Sequence, residues 1–335
     1  MADLSPRESL SSMIVAYWTS QMVYVAAKLG LADQLVDGPR SSEDLAKASG
    51  THAPSLYRLL RGLASLGVFR EEGDQGFALT PLAEGLRRDA PGSLWAMAIM
   101  MGEEHYRAWG DLLGSIQTGE SAFDRLHGKP IFDYLAERPE QAAVFDAAMT
   151  SIHGRETKAI LDAYDFSSLR VLADVGGGNG TTLIQILNQH PNLNGLLFDL
   201  PNVIDRAKGA IETAGLSGRC KVASGSFFED VPRGADAYFL RHIIHDWDDE
   251  KATTILRAVR RSMASESKLL VIESVIQPGN EPAFAKLLDL TMLVLPGGQE
   301  RTEDQYRRLF EASGFQLAET TPTLAGVSVI EGKPV

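Results

Sequence analysis

Residues 171–180 read VLADVGGGNG, and no other stretch limits the possible folds of this chain as tightly. A short apolar run ends in an acid, Asp174, and passes at once into closely spaced glycines. The pattern of residues 181–189 then predicts a helix. Strand, glycine loop and helix in that order let a sheet meet a nucleotide-type ligand, since glycine allows the backbone to approach without side chains in the way. The acid narrows this further. A loop built to hold pyrophosphate at a helix N-terminus gains nothing from a neighbouring carboxylate. Asp174 therefore implies a ligand with a positively charged end, such as an amino group.

The rhythm after Leu169 supports a layered fold. Strands are expected at 171–174, 195–199, 221–224, 237–240, 268–274, 316–319 and 327–330, with helices at 203–214, 251–263 and 303–313 among those between them. That alternation predicts an α/β fold with a doubly wound, mainly parallel sheet. The last two strands have no helix between them and read as a terminal antiparallel hairpin. The chain of 335 residues, 44% hydrophobic, has room for two domains, with the boundary expected near residue 100. The first hundred residues look helical. Ser41 and Ser42 precede a short helix that stops at Gly50, and Thr51 is read as the cap of the next. Pro54 fits its first turn, and Leu56, Leu59, Leu60, Leu63 and Leu66 are expected on one face. Val68 to Arg70 and Phe77 to Leu79 flank the turn Gly73-Asp74-Gln75-Gly76. Helix, turn, helix, hairpin is a winged-helix order.

Such a domain serves either DNA recognition or self-association. The second helix is dominated by leucine, with Arg58 and Arg61 its only bases, and the net charge is −12. Both disfavour duplex DNA or an anionic membrane as partner. The apolar segment 13–35, interrupted by Thr19, Ser20, Gln21 and Lys28, is expected to be buried or partner-facing and favours a homodimer. One cysteine, Cys220, and no basic signal-like start fit a cytoplasmic protein. Residues 101–165 form a helical segment whose aromatic residues are mostly core, with a minority lining a pocket for a flat ligand, to which 288–296 also contributes.

The chemistry-bearing residues follow the strand ends, where open α/β sheets bind ligands. Asp199 closes the second strand, where a carboxylate accepts hydrogen bonds from ribose hydroxyls; the competing reading is a turn ahead of Pro201. Gly225, Ser226, Phe227 and Phe228 follow the third, and one phenylalanine is expected to stack on a base while the other joins the core. After the fourth comes Arg241-His242-Ile243-Ile244-His245-Asp246-Trp247. His245 suits proton transfer near neutral pH. His242 is read as structural and pointing away from it, with Asp246 and Trp247 orienting the loop. The acids 248–250 suit the dipole of the next helix, and no metal site is expected. Glu273 is an acid in an otherwise apolar strand and needs a partner such as His245. Glu300, just before a helix that Thr302 can cap, serves equally well as an ion-pair partner or as a functional residue.

These motifs together, DVGGGNG at 174–180, FDLP at 198–201, GSFFEDVP at 225–232, LRHIIHDWDDE at 240–250, VIESVI at 271–276 and GGQERT at 297–302, resemble one family over the whole chain. It is the metal-independent small-molecule O-methyltransferases, class I S-adenosylmethionine-dependent enzymes. They include plant caffeic-acid and hydroxyindole types and bacterial enzymes that tailor aromatic antibiotics and phenazines. The resemblance implies a winged-helix dimerisation domain at 1–100 and a catalytic domain at 101–335, whose Rossmann-like core begins at 166. It implies His245 as the base, bracketed by Glu273 and Glu300. It implies Gly176 and Gly178 at the methionine portion of the cofactor, Asp199 at the ribose, and Ser226 with Phe227 at the adenine. Leu200 and Gly225 are expected among the cofactor-binding residues, as is Asp174, which faces the ligand's charge directly, acts through water or holds the loop in shape. Arg241 stands where many members keep a basic residue near the cofactor. Ser226 departs from the aspartate of many relatives, so the hydroxyl and backbone would read the adenine. S-adenosylhomocysteine would be the product, the acceptor a small hydroxylated aromatic. Non-methylating relatives that decarboxylate or hydroxylate aromatic polyketides are the alternative, and a winged-helix regulator the remoter one.

Overall fold

The computed structural model describes residues 5–73 and 75–335. Contacts divide the chain into two compact units, Met1–Arg107 with Arg138–Ile152, and Ala108–Glu137 with His153–Val335.

The first unit opens with the helix Pro6–Lys28, whose N-cap Ser5 and Glu8 form a reciprocal capping box. Leu10, Met13, Ile14, Tyr17 and Trp18 lie more than half exposed on it, whereas Ala26 and Ala27 are buried. The expected apolar segment 13–35 is thus mostly exposed over residues 13–20 and joins the core toward its end. Strand β1 (Arg40–Ser41) leads through cap Ser41 into the helix Ser42–Ser49, which ends at left-handed Gly50. The next helix, Ala53–Ser65, begins at His52, which makes no side-chain cap bond. Thr51, expected to cap it, pairs instead with Ser49 Oγ at 3.0 Å, one residue too early to reach the first-turn amides. Leu56, Leu60 and Leu63 are buried, but Leu66 falls past the helix end and is 46% exposed. Strands β2 (Phe69–Glu72) and β3 (Gly76–Leu79) form the antiparallel hairpin, with β1 added on the β3 side. Of its turn, Asp74 lies outside the described residues.

The second unit carries the sheet. Its strands are β4 (Val171–Val175), β5 (Asn194–Asp199), β6 (Cys220–Ser224), β7 (Ala237–Arg241), β8 (Lys268–Glu273), β9 (Phe315–Pro322) and β10 (Ser328–Pro334). They lie in the order β6-β5-β4-β7-β8-β10-β9. The first five are parallel and the last two antiparallel, as the terminal hairpin required. Alternate side chains serve two cores, as the period of a doubly covered strand demands. Ala173, Tyr238, Leu240, Leu269 and Val271 pack under the helices Asp249–Ser262 and Glu303–Ala312. Leu172, Phe239, Leu270 and Ile272 pack under Thr181–Gln189 and Pro201–Thr213. Strand order reverses between β4 and β7, which opens a crevice at their carboxyl ends. Among the described residues no helix is long and apolar enough to cross a membrane.

Candidate active site

The glycine loop leaves β4 at Gly176, with φ +73°. A Cβ there would lie 2.4 Å from Ile243 Cδ1 and 3.6 Å from Phe227 Cε1, so glycine is needed for both conformation and space. Gly176 N donates to Phe198 O at 2.8 Å, and Gly178 N donates to Asp199 Oδ2 at 2.8 Å. Asp199 Oδ1 accepts from Leu200 N at 2.7 Å. Oδ2 thus ties the loop to the end of β5, while Oδ1 holds the turn that follows the strand. Asp174 is buried beneath the loop. Burial pushes its carboxyl up to about 7, with the Arg241 cation opposing and the Asp199 charge adding to the rise. Its Oδ2 is buried without a hydrogen-bond partner, an orphan acceptor that suits an ammonium group.

Beyond β6, Ser226 Oγ accepts from Phe228 N at 3.3 Å, and its carbonyl from Glu229 N at 3.0 Å, which shapes a tight turn. Phe227 and Phe228 do not divide into one core and one exposed ring. Both are half-buried and lie against Trp247, with centroids 6.2 and 4.8 Å from its ring. Arg241 is occupied by protein partners. It donates to Glu156 Oε2 at 2.7 Å, to Thr157 Oγ1 at 3.1 Å and to Thr182 Oγ1 in the first turn after the loop. Its reach is therefore to the helix that follows the glycine loop.

The β7 end supplies the second half of the site. A short turn, Ile244–Asp246, holds His245 almost out of solvent. Its Nδ1 lies 2.6 Å from Glu300 Oε1 and 3.3 Å from Glu273 Oε2, while Nε2 lies 3.6 Å from Asp246 Oδ1. Glu273 closes β8, fully buried, and its Oε1 accepts from Ile244 N at 2.9 Å and His245 N at 3.2 Å. Glu300 N donates to Asp289 Oδ1 at 2.9 Å. In the neutral ring, an Nδ1–H donating to Glu300 leaves Nε2 bare to accept a proton. Burial alone would depress His245, but Glu273, Asp246 and Glu300 outweigh it and hold its pKa up at about 10. Burial raises Glu300 against the pull of His245, and raises Asp246 to about 7. Glu273 stays low, since the histidine charges and its amide donors overcome its burial. These groups hold their protons as a set.

His242 does not point away from His245. Its backbone takes φ +53°, which turns the ring to 5.1 Å from that of His245. Its Nε2 meets Glu156 Oε2 at 2.8 Å, and Nδ1 lies 3.6 Å from Glu273 Oε2. A carboxylate shared between two imidazoles is what draws it in. Asp246, read as orienting the loop, also brings its Oδ1 to 3.6 Å from His245 Nε2. His242, His245 and Glu273 have spacing that a metal ion could use. However, Glu273 already accepts two amides and His245 Nδ1 faces Glu300, so the set is arranged for protons. Thr302 caps Glu303–Ala312 with Gln305, as the sequence predicts, and of the acids expected at the start of the helix Asp249–Ser262, Asp248 is its N-cap. Arg301 and Gly298 were missed. A Cβ on Gly298 would sit 2.0 Å from His245 O, so the Glu300 segment lies directly on the His245 turn. Part of the expected pocket wall also packs within this unit. Phe123 and Ile131 share a core with Val294 and Leu295, and Ser121 Oγ donates to Leu295 O at 2.7 Å.

Residues 109–316 match the O-methyltransferase domain family and residues 11–89 the O-methyltransferase dimerisation domain family. A phenazine O-methyltransferase from Lysobacter antibioticus is 46% identical, covering 97% of this chain and 96% of that protein. The crystal structure of LaPhzM superposes with a TM-score of 0.96 at 45% identity, over 99% of this chain and 100% of the other. An O-methyltransferase from neocarzinostatin biosynthesis, solved with S-adenosylmethionine and 2-hydroxy-5-methyl naphthoic acid, gives a TM-score of 0.85 at 34% identity, over 95% and 96% of the two chains. A sheet with its glycine loop and terminal hairpin, a helical domain matching the dimerisation family and full-length identity of this size agree on one conclusion: the chain belongs to the S-adenosylmethionine-dependent O-methyltransferase family.

Proposed function

We propose that this chain methylates a hydroxyl of a small aromatic or heteroaromatic metabolite, with His245 as general base. One observation carries the reading. Ile243, two residues before His245, comes within van der Waals reach of Gly176, so the base turn adjoins the loop that suits the cofactor. Asp174 would hold the amino group, the Gly176–Gly178 backbone the methionine portion, Asp199 with Leu200 the ribose, and Gly225, Ser226 and Phe227 the adenine. Arg241 would act on the cofactor side through Thr182. When bound, S-adenosylmethionine supplies a methyl group on a sulfonium and is left as S-adenosylhomocysteine.

His245 takes the acceptor's hydroxyl proton at Nε2. Glu300 fixes the Nδ1–H tautomer, and Glu273 holds the turn through its two amides. A phenolate is a far better nucleophile than a phenol, so this proton transfer is the protein's main chemical task, worth about 10²–10⁴-fold. His245 is protonated at neutral pH until another positive charge arrives beside it. Electrostatic repulsion then favours release of that proton. The relative named for phenazine and the one solved with a bound naphthoic acid support a flat acceptor. Residues 1–100 would carry self-association into a homodimer through the exposed face of Pro6–Lys28, and residues 101–335 the chemistry. The lone buried Cys220 fits a cytoplasmic setting.

The test is incubation with labelled cofactor and a panel of hydroxylated phenazines, naphthoates and benzoates, followed by mass analysis. Gain of a methyl label supports the reading. Loss of carbon dioxide or gain of oxygen would instead support a non-methylating relative. His245→Gln should bind S-adenosylhomocysteine as the parent does, while turnover falls by about 10²–10⁴-fold. Parental turnover in that variant would refute the base.

A further inference from the structure

We propose that Arg301 is a positioning residue for His245, a guanidinium clamp that locks the base turn to the segment carrying Glu300. The inference rests on His245 being the base. Among the described residues Arg301 is the bulkiest fully buried side chain. Its Nη1 donates to Ile244 O at 3.1 Å and Gln299 O at 3.3 Å. Its Nη2 donates to Trp247 O at 2.9 Å and to Asp249 Oδ1 at 2.8 Å, and Nε donates to that same oxygen at 2.9 Å. All five donors of a guanidinium are thereby used.

The pattern of acceptors is the argument. Ile244 and Trp247 lie on either side of His245, and Gln299 immediately precedes Glu300. His245 O itself accepts from Gln299 N at 2.9 Å, across the face that Gly298 leaves bare. Three carbonyls of the base turn are therefore pinned to residues 299 and 301. Arg301 O also accepts from Ile276 N at 3.0 Å, which anchors the clamp just beyond the end of β8. The 2.6 Å contact of His245 Nδ1 with Glu300 depends on these two segments holding register. An arginine needed only as a charge would not span both. A lysine, a point charge with three donors and no fork, cannot replace it.

The test compares Arg301→Lys with the parent by proton NMR of the imidazole, by calorimetry with S-adenosylhomocysteine and by turnover on the hydroxylated-aromatic panel. The His245 Nδ1–H bonded to Glu300 should give a far-downfield resonance, assigned by its absence in His245→Gln. In Arg301→Lys that resonance should vanish or move upfield, and kcat should fall about 100-fold, the cost of a small misplacement. The Kd for S-adenosylhomocysteine should stay within about threefold. Adding His245→Gln to Arg301→Lys should cost nothing beyond His245→Gln alone, since the residues act as a unit. An unchanged resonance and kcat, or fully additive losses, would overturn the clamp. Absence of the resonance in the parent, or parental turnover of His245→Gln, would instead sink the base assignment. If Arg301→Lys does not fold, Asp249→Asn decides. It weakens the clamp from its outer end and should reproduce the same signature at about fivefold in kcat, and a parental result there overturns the proposal.

Discussion

The glycine loop and the base turn adjoin, but they are built in opposite ways. The loop is shaped by its own backbone: positive φ at Gly176 and Gly178, and hydrogen bonds to the adjacent strand β5. The turn is shaped by side chains from elsewhere. Glu273 reaches it across 28 residues and Glu300 across 55. A local device tolerates few residues but forms with its strand. A long-range device admits ordinary residues locally and depends on distant ones arriving. Substitutions in the two places should therefore fail differently, one in ligand affinity and the other in proton chemistry.

The largest separation is expected from Gly176→Ala. Its Cβ meets Ile243 at 2.4 Å in a conformation that L-residues resist. The combined strain is about 2–5 kcal/mol. Calorimetry should find affinity for S-adenosylhomocysteine lowered by about 10²–10³-fold, while the downfield His245 proton persists. Loss of that proton would mean the two devices are one. Glu300→Gln should do the reverse. Removing a charge-assisted hydrogen bond costs about 1.5–3 kcal/mol, hence about 10–100-fold in kcat, with S-adenosylhomocysteine binding kept. It also removes a negative charge that raises the His245 pKa. The neutral imidazole then persists to lower pH, so the acidic limb of the kcat profile should move down. Asp246→Asn should move the same limb in the same direction with less loss of rate, because Asp246 faces Nε2 at 3.6 Å without a direct bond. A limb that moves up in either variant would break the electrostatic account.

The same contrast explains what the sequence disclosed. Strand, glycine loop and helix at 171–189 were legible because apolar run, glycines and helical pattern are consecutive in the chain. The seven strands of the sheet and the Thr302 cap followed for the same reason. Thr51 was misread by one position because cap choice depends on where the helix starts in space. His242 was misread because a positive φ at a non-glycine residue is set by tertiary contacts, here Glu156 and Glu273. Arg301 left no mark in the pattern because most of its acceptors are main-chain carbonyls, which every residue has.

The smallest effect is the most selective. Asp174 holds its proton up to about 7 in the ligand-free protein because it is buried. Pairing with an ammonium favours the carboxylate, so binding must release that proton wherever the free protein still carries it. Affinity for S-adenosylhomocysteine should then rise by up to about tenfold from pH 6 to 8, one decade per unit below the pKa and level above it. Calorimetry near pH 7 in two buffers of different ionisation enthalpy should detect the released proton. Asp174→Asn should flatten the profile and abolish the buffer dependence. S-adenosylhomocysteine is the right probe because it carries the ammonium without the sulfonium. It reads the loop alone, whereas any further proton released by S-adenosylmethionine reports on His245. If S-adenosylhomocysteine binding to Asp174→Asn still releases a proton, the titrating group lies in the base cluster, and loop and turn are electrostatically coupled.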